Sequence, residues 1–345
     1  MRTLKIAGNP FEVGRQLGEF GRSAYHEKVR KTALWQRIQA LSNSTQAKQL
    51  CVATQVHQPD IWMELNGLAQ GLDAPLGEVF AWNCRGDLVE STSDGCTTDY
   101  GHDADGARII AHNEDGFPQL YDDCALVEVT PHEALAFTSF AYPGSLCGHT
   151  FAVNAAGIVN TVNNIRASQR PLGLPRQVLA RAALNASTLD DALTVLTESE
   201  RAGSFHHTLA QVGQGAIYSV EATGAHEAQV RAVHQTGGHA NHLIYADNVA
   251  QKVTASSGAR QQRLDEWLNA RGTIPLSVSE ALAILSDTQN VVLPIYRQAP
   301  DDPDDENTLA TMVYRLTAEE VSWSLWRRDR QRPVLQGKML VSVAL

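Results

Sequence analysis

The chain has 345 residues, 43% hydrophobic and 19% charged, an ordinary globular balance that can bury a sizeable core and excludes disordered, collagen-like and coiled-coil readings. Its 28 basic and 38 acidic residues leave a net charge of −10, which repels phosphate backbones, so nucleic acid is excluded as a partner. No run of 18 apolar residues occurs and the first ten residues lack a signal-peptide core, so no membrane partner and a cytoplasmic location are expected.

Taken in chain order, the first 90 residues read as helical. Phe11, Val13, Leu17, Phe20, Tyr25, Val29 and Leu34 fall at helix-like spacing and predict a helix over 10–39, with further helical stretches over 46–72 and 75–88. From residue 91 the texture changes. Short β-branched or alternating runs at 108–112, 125–130, 134–140, 151–153 and 158–162, punctuated by Gly, Asn, Asp and Pro, predict strands. Helices follow over 175–184 and 189–197, the second capped by Thr188 or Ser187. Strands come next over 207–212, 216–221 and 228–233, then helices over 258–271 and 278–285. Two strands over 308–316 and 321–326 close the chain, the basic run 327–332 reading as a solvated strand end. Helices then strands, twice over, predict two sheet layers flanked by helices rather than a regular βαβ alternation.

Phosphate-loop, dinucleotide, Gly-x-Ser-x-Gly and His-Glu-x-x-His signatures are all missing. The five cysteines, Cys51, Cys84, Cys96, Cys124 and Cys147, are odd in number and form no Cys-x-x-Cys pair, which argues against a disulfide framework or a zinc ribbon. His206 and His207 would point to opposite faces of a strand, and the pair His239 and His242 lacks a third ligand, so no metal is expected there. The informative segment is 91–100, Ser-Thr-Ser-Asp-Gly-Cys-Thr-Thr-Asp-Tyr, where Cys96 should begin a strand. The glycine before it leaves its carbonyl open to attack, and a neighbouring thiol can perform an N-to-S acyl shift that water then resolves. Cys96 would become a new N-terminus, whose α-amine titrates near 7.7–8.0 and can act as base for its own thiol. By itself the residue reads more readily as a packing cysteine.

The run Ala111-His112-Asn113-Glu114-Asp115 follows a strand and the Gly106 turn, so a hairpin would bring Asp115 beside Cys96. Asp94-Gly95-Cys96-Thr97-Thr98, Asn113-Glu114-Asp115, Gly157-Ile158 leading to Asn163, His239-Ala240-Asn241-His242, Ser257 to Arg263 and the Thr308-Leu309 strand follow one another over nearly the whole chain. In these features the chain resembles the self-cleaving penicillin acyltransferase family (acyl-coenzyme A:6-aminopenicillanic acid acyltransferase-like) of the N-terminal nucleophile hydrolases. Its relatives include hydrolases of β-alanyl amines and, more distantly, bile-salt and penicillin V amidases.

The resemblance implies an α+β fold, a four-layer αββα sandwich with two stacked antiparallel sheets, preceded by a helical leader. It implies a precursor cut between Gly95 and Cys96 into a leader chain (1–95) that stays bound and a catalytic chain (96–345). Cys96 would be the nucleophile, Asp115 would orient the new amine and the thiol, and Asn241, with Asn163 or a nearby backbone N–H as second donor, would bind the oxyanion. No cofactor is implied. Two departures bear on substrate. The bile-salt branch has an arginine where His112 stands, and the acyltransferases have an arginine before the penultimate strand, where this chain has Asp304-Asp305-Glu306-Asn307. If that loop reaches the pocket, Asp305 and Glu306, with His112, would contact substrate and favour a cationic group.

The activity expected is hydrolysis or transfer of the acyl group of a small N-acyl amine, such as a β-alanyl or other ω-amino-acyl amide, through an acyl-enzyme on Cys96. Two alternatives keep the fold: an N-acyltransferase with acyl-coenzyme A as partner, and a non-catalytic binding protein with a structural Cys96. A metal hydrolase built on His206, His207, His239 and His242 is disfavoured by the ligand count.

Overall fold

The computed structural model describes residues 1–90, 95–224, 226–246 and 248–341. Asp94, which opens the junction motif, lies outside the described residues.

Arg2–Gly8 alternate between exposed and buried positions and form strand β1, an element outside the helical reading of this region. Asn9 then caps helix α1 (Pro10–Glu27) through a reciprocal pair of bonds with Glu12, 2.9 and 3.0 Å, with proline in the first turn. The 10–39 stretch divides here. A 3-10 turn over Val29–Lys31 and the Thr32 cap lead into α2 (Ala33–Leu41). The 46–72 stretch divides into α3 (Thr45–His57) and α4 (Pro59–Leu72), because a proline inside a helix removes a hydrogen bond whereas in the first turn it costs nothing. The leader closes with α5 (Leu76–Asn83) and α6 (Arg85–Leu88).

The rest of the chain supplies β2 (Gly95–His102), β3 (Arg108–Gly116), β4 (Ala125–Pro131), β5 (Phe137–Ala141), β6 (Phe151–Asn154), β7 (Ile158–Asn164), α7 (Arg176–Ala183) and α8 (Leu189–Thr197). Then come β8 (Phe205–Gln211), β9 (Ile217–Ala222), β10 (Gln229–Val233), β11 (Gly237–His239), α9 (Ala255–Arg271), α10 (Val278–Ile284), β12 (Asn307–Leu316), β13 (Glu320–Trp326) and β14 (Leu335–Leu340). One sheet has the order β1-β4-β5-β6-β7-β8-β9-β10 and the other β11-β2-β3-β12-β13-β14. Helices α7 and α8 cover the outer face of the first, Leu179, Ala192 and Leu196 packing with Ile158, Leu209 and Val220. Helices α9 and α10 cover the second, Leu264, Ala281 and Ile284 packing with Ile109, Ala111 and Val313. Phe140 and Phe151 of one sheet share a core with Ile110, Met312 and Tyr314 of the other. The molecule is therefore helix, sheet, sheet, helix.

Three expectations are corrected. The sheets are not wholly antiparallel, since β1 pairs with β4 in parallel, from Arg2 opposite Ala125 to Gly8 opposite Pro131. The chain does not end its strands at 326, because β14 adds an edge to β13. The basic run is not wholly solvated: Arg327 is buried with its guanidinium over Tyr121, and Arg330 donates to Thr311 Oγ1 at 2.7 Å.

Candidate active site

The register of the β2–β3 hairpin decides what faces the thiol. Gly95 lies opposite Asp115, Cys96 opposite Glu114 and Thr98 opposite His112. Side chains alternate along a strand, so Cys96, Thr98, His112 and Glu114 face the eight-stranded sheet, while Thr97, Asn113 and Asp115 face α9 and α10. Asp115 thus sits on the backbone side of Gly95, and Glu114 is the carboxylate beside the thiol.

On the thiol side, Cys96 Sγ lies 3.7 Å from Glu114 Oε2, which is itself 3.2 Å from His112 Nε2. Tyr142 donates its hydroxyl to Glu114 Oε1 at 2.8 Å. His112 Nδ1 meets Thr98 Oγ1 at 2.8 Å, and Thr98 donates to Asn163 Oδ1 at 2.8 Å. Of these groups Cys96, Thr98, His112, Glu114 and Asn163 are buried and Tyr142 is partly buried. Burial pushes His112 down to about 3, so the ring that stands in the arginine position is neutral. Asn163, expected as an oxyanion donor, commits its amide N–H to the His239 carbonyl at 3.1 Å and its oxygen to Thr98 and His206. It braces the layer behind His112.

On the backbone side, Cys96 N–H donates to Asn241 Oδ1 at 2.8 Å. Arg260, reached from α9, donates to the same Asn241 oxygen at 2.7 Å, to Thr97 Oγ1 at 2.9 Å and to the Cys96 carbonyl. Asn241 directs its NH2 at the Asn164 carbonyl, 3.0 Å away, so in the uncut chain its oxygen, and not its amide, meets Cys96. Asp115 Oδ1 accepts from Thr308 at 2.7 Å, while its buried Oδ2 has no hydrogen-bond partner among the described residues. Burial raises the Asp115 pKa, opposed by the nearby Arg297 and Arg260.

The acidic loop is split by the same geometry. Glu306 is buried against Gly95, where a Cβ would overlap its Oε2. It pairs with Arg297 and lies 3.9 Å from Arg166, and burial pushes it up to about 7. Asp302 and Asp304 also pair with Arg297, so a single guanidinium ties down three of the loop's five carboxylates. Asp305 is exposed and lines a surface cleft with Lys28, Lys31 and Arg37, away from Cys96. Glu306 thus reaches the Gly95–Cys96 junction clamped by Arg297, whereas Asp305 faces solvent. The four candidate metal histidines do not converge either. His206 stacks on His239 at 3.6 Å, His207 turns to Asn160, and His242 bonds Ser257.

Sequence reading missed Glu114, Tyr142, Arg260 and Arg297. Glu114 was legible, since the period of two puts it with His112 once a hairpin is assumed. Arg260 and Arg297 arrive from distant elements and leave no local signal.

Two sheets between helical layers, with a Gly–Cys junction heading a central strand, define the fold class of the N-terminal nucleophile hydrolases. Residues 102–330 match the family described as acyl-coenzyme A:6-aminopenicillanic acid acyl-transferase, about two thirds of the chain, and the chain belongs to that family, whose enzymes act on amide bonds. The matched span starts after Cys96. A Drosophila melanogaster relative, β-alanyl-dopamine/carcinine hydrolase, is 23% identical over 359 aligned residues, covering 92% of this chain and 91% of its own. Among solved structures, the Caenorhabditis elegans N-acylethanolamine-hydrolyzing acid amidase ortholog is 12% identical, covers 63% of this chain and 92% of its own, and has a TM-score of 0.45. A mutant of the Clostridium perfringens conjugated bile acid hydrolase is 10% identical over 71% of this chain and 92% of its own, with a TM-score of 0.46. Among the described residues no helix is long and apolar enough to cross a membrane.

Proposed function

We propose that the chain matures by cutting itself between Gly95 and Cys96 and then works as an N-terminal cysteine amidase on small N-acyl amines. The observation that carries this reading is the grip on the Cys96 backbone. Its N–H is held by Asn241 and its carbonyl by Arg260, and Arg260 also holds Asn241. Any buried backbone N–H needs an acceptor, but here the acceptor is a side-chain oxygen, itself held by Arg260, that also suits the amine a cut would create.

In maturation the Cys96 sulfur attacks the Gly95 carbonyl carbon, the Gly95–Cys96 C–N bond breaks, and the nitrogen takes a proton to become the α-amine. Water hydrolyses the resulting thioester, leaving a carboxylate on Gly95 and a free thiol on Cys96. Asn241 Oδ1 and the unsatisfied Asp115 Oδ2 are acceptors suited to the new amine. In turnover the thiol attacks the substrate carbonyl, its proton passing through the α-amine to the leaving amine, and water or a second amine accepts the acyl group from sulfur. Release of the Asn241 NH2 from the Asn164 carbonyl would supply an oxyanion donor, a contact whose removal typically costs about 2.7–4 kcal/mol in barrier. The hydrolase relative named for β-alanyl-dopamine and carcinine supports an ω-amino-acyl amide as substrate, whereas the family's own description supports acyl transfer from coenzyme A.

Intact mass of the purified protein beside a Cys96→Ala variant tests the maturation step. Two chains that together weigh the 37.5 kDa of the whole plus one water, absent in the variant, are expected. A single uncut species in both would reduce Cys96 to a structural residue. Release of free amine from N-β-alanyl amines, with and without an added amine acceptor, then separates hydrolysis from transfer.

A further inference from the structure

The hydrogen bonds around His112 leave a lone pair facing a carboxylate. Asn163 is fixed in orientation because its NH2 donates to the His239 carbonyl, so its Oδ1 is an acceptor. Thr98 has one hydroxyl hydrogen and gives it to that oxygen at 2.8 Å. Thr98 Oγ1 must then accept from His112, which assigns the ring hydrogen to Nδ1, 2.8 Å away. The other ring nitrogen, Nε2, lies 3.2 Å from Glu114 Oε2. Two acceptors at that distance repel unless a proton or a cation lies between them. Cys96 Sγ completes the group, and the three ligand atoms all fall within 4.8 Å of one another among buried side chains.

We propose that Cys96 Sγ, His112 Nε2 and Glu114 Oε2 form a binding site for a thiophilic divalent cation, Zn²⁺ in the first instance. The donor types are those zinc prefers, a thiolate, a neutral imidazole and a carboxylate. With zinc bonds of about 2.0–2.3 Å a tetrahedral centre spaces nitrogen from oxygen by about 3.3 Å and sulfur from oxygen by about 3.5 Å. The 3.2 and 3.7 Å separations here need little movement to meet that geometry. The supporting contacts are built as well: Thr98 fixes the imidazole tautomer, and Tyr142 holds the far carboxylate oxygen. Three protein ligands leave a fourth position for water. Binding replaces the thiol proton, which leaves with solvent, by a sulfur–zinc bond and occupies the sulfur lone pair that nucleophilic attack requires. Zinc is thus a reversible block on the enzyme; that consequence rests on the function proposed for Cys96, whereas the binding itself does not.

Cobalt(II) titration of the full chain, followed by zinc displacement, tests the site without any substrate. One equivalent of cobalt should give a thiolate-to-cobalt charge-transfer band and tetrahedral ligand-field bands, both removed by zinc. Cys96→Ala should abolish the charge-transfer band, and His112→Ala and Glu114→Gln should each weaken cobalt binding at least tenfold. Circular dichroism reports whether each variant is folded, and should His112→Ala fail to fold, Glu114→Gln decides. Absence of the band in the wild-type chain overturns the proposal and leaves a proton between His112 and Glu114. So does a band that survives with unchanged affinity in Cys96→Ala, since one of the other four cysteines would then be the ligand, or in Glu114→Gln, since the carboxylate would then not be one.

Discussion

At Gly95 the chain has no room for a side chain, because Glu306 fills the space a Cβ would take and Arg297 holds Glu306 there. Gly95→Ala should therefore destabilise the chain by about 1–3 kcal/mol, the usual cost of overpacking, and should slow the proposed cut as the junction shifts. Combining it with Glu306→Asp, one methylene shorter at the same charge, should recover part of both losses. A Gly95→Ala chain with wild-type melting temperature and wild-type fragments would refute this contact. The same glutamate carries a pH dependence. Its carboxyl shares Arg297 with Asp302 and Asp304 and lies near Asp115, and burial raises it from 4.5 to about 7 in the fold. The folded chain thus binds its proton more tightly than the unfolded chain does. The associated stability is fully present below about pH 4.5 and is lost as pH rises through about 7. Melting temperature followed across that window should fall for the wild type and fall less for Glu306→Gln; parallel curves would contradict the assignment.

The helices of the leader make a contact that the burial of apolar faces alone does not explain. In α1 and α4, Gly14 and Gly18 lie against Gly67 and Gly71, and a Cβ on Gly14 or Gly67 would overlap the backbone carbonyl of Glu64 or Phe11. Backbone cannot move aside as a flexible side chain can. Gly67→Ala should lower stability by about 3 kcal/mol or more, read from chemical denaturation, whereas Gly77→Ala in α5, which meets nothing within 4 Å, should raise it by about 0.4–1 kcal/mol. Equal effects at the two positions would mean that helix propensity, and not contact, governs both. The paired glycine spacing was present in the sequence, but a glycine at a helix contact and one at a bend read alike until the partner is known. Helix α8 was legible to the residue because its apolar period and its Thr188 cap agree. Strand β1 was not, since seven alternating residues before a long helix do not reveal a partner some 120 positions away, let alone a parallel one. At the site, Cys96, Asp115 and Asn241 were legible through the ordered motifs. Their faces were not, because a register shift of one residue would exchange Asp115 for Glu114 beside the thiol.

Across the whole molecule, the N-terminal helical segment, the proposed leader, is woven into the rest of the chain and does not merely lie against it. Strand β1 is hydrogen-bonded to β4, and one apolar core includes Leu17, Tyr25, Trp35, Leu65 and Phe80 of the leader with Phe137, Phe140 and Phe151 of the sheets. A buried ion pair crosses the same boundary: Arg181 of α7 donates to both Glu64 oxygens, at 3.2 and 3.0 Å, with its guanidinium stacked 4.6 Å over Phe137. Cutting at Gly95 breaks one covalent bond and none of these contacts. The two chains should therefore elute together in native size-exclusion chromatography and part only in denaturant. Because Glu64 and Arg181 are nearly fully buried, removing one partner leaves an uncompensated charge, and Glu64→Ala should cost about 3–5 kcal/mol. Replacing both with methionine should restore most of that loss, as isolated desolvation no longer operates. If the leader chain separates under native conditions, the strand and core contacts do not bind it strongly enough to survive scission. If the leader stays but Glu64→Ala melts like the wild type, apolar packing alone retains it and the ion pair contributes orientation only.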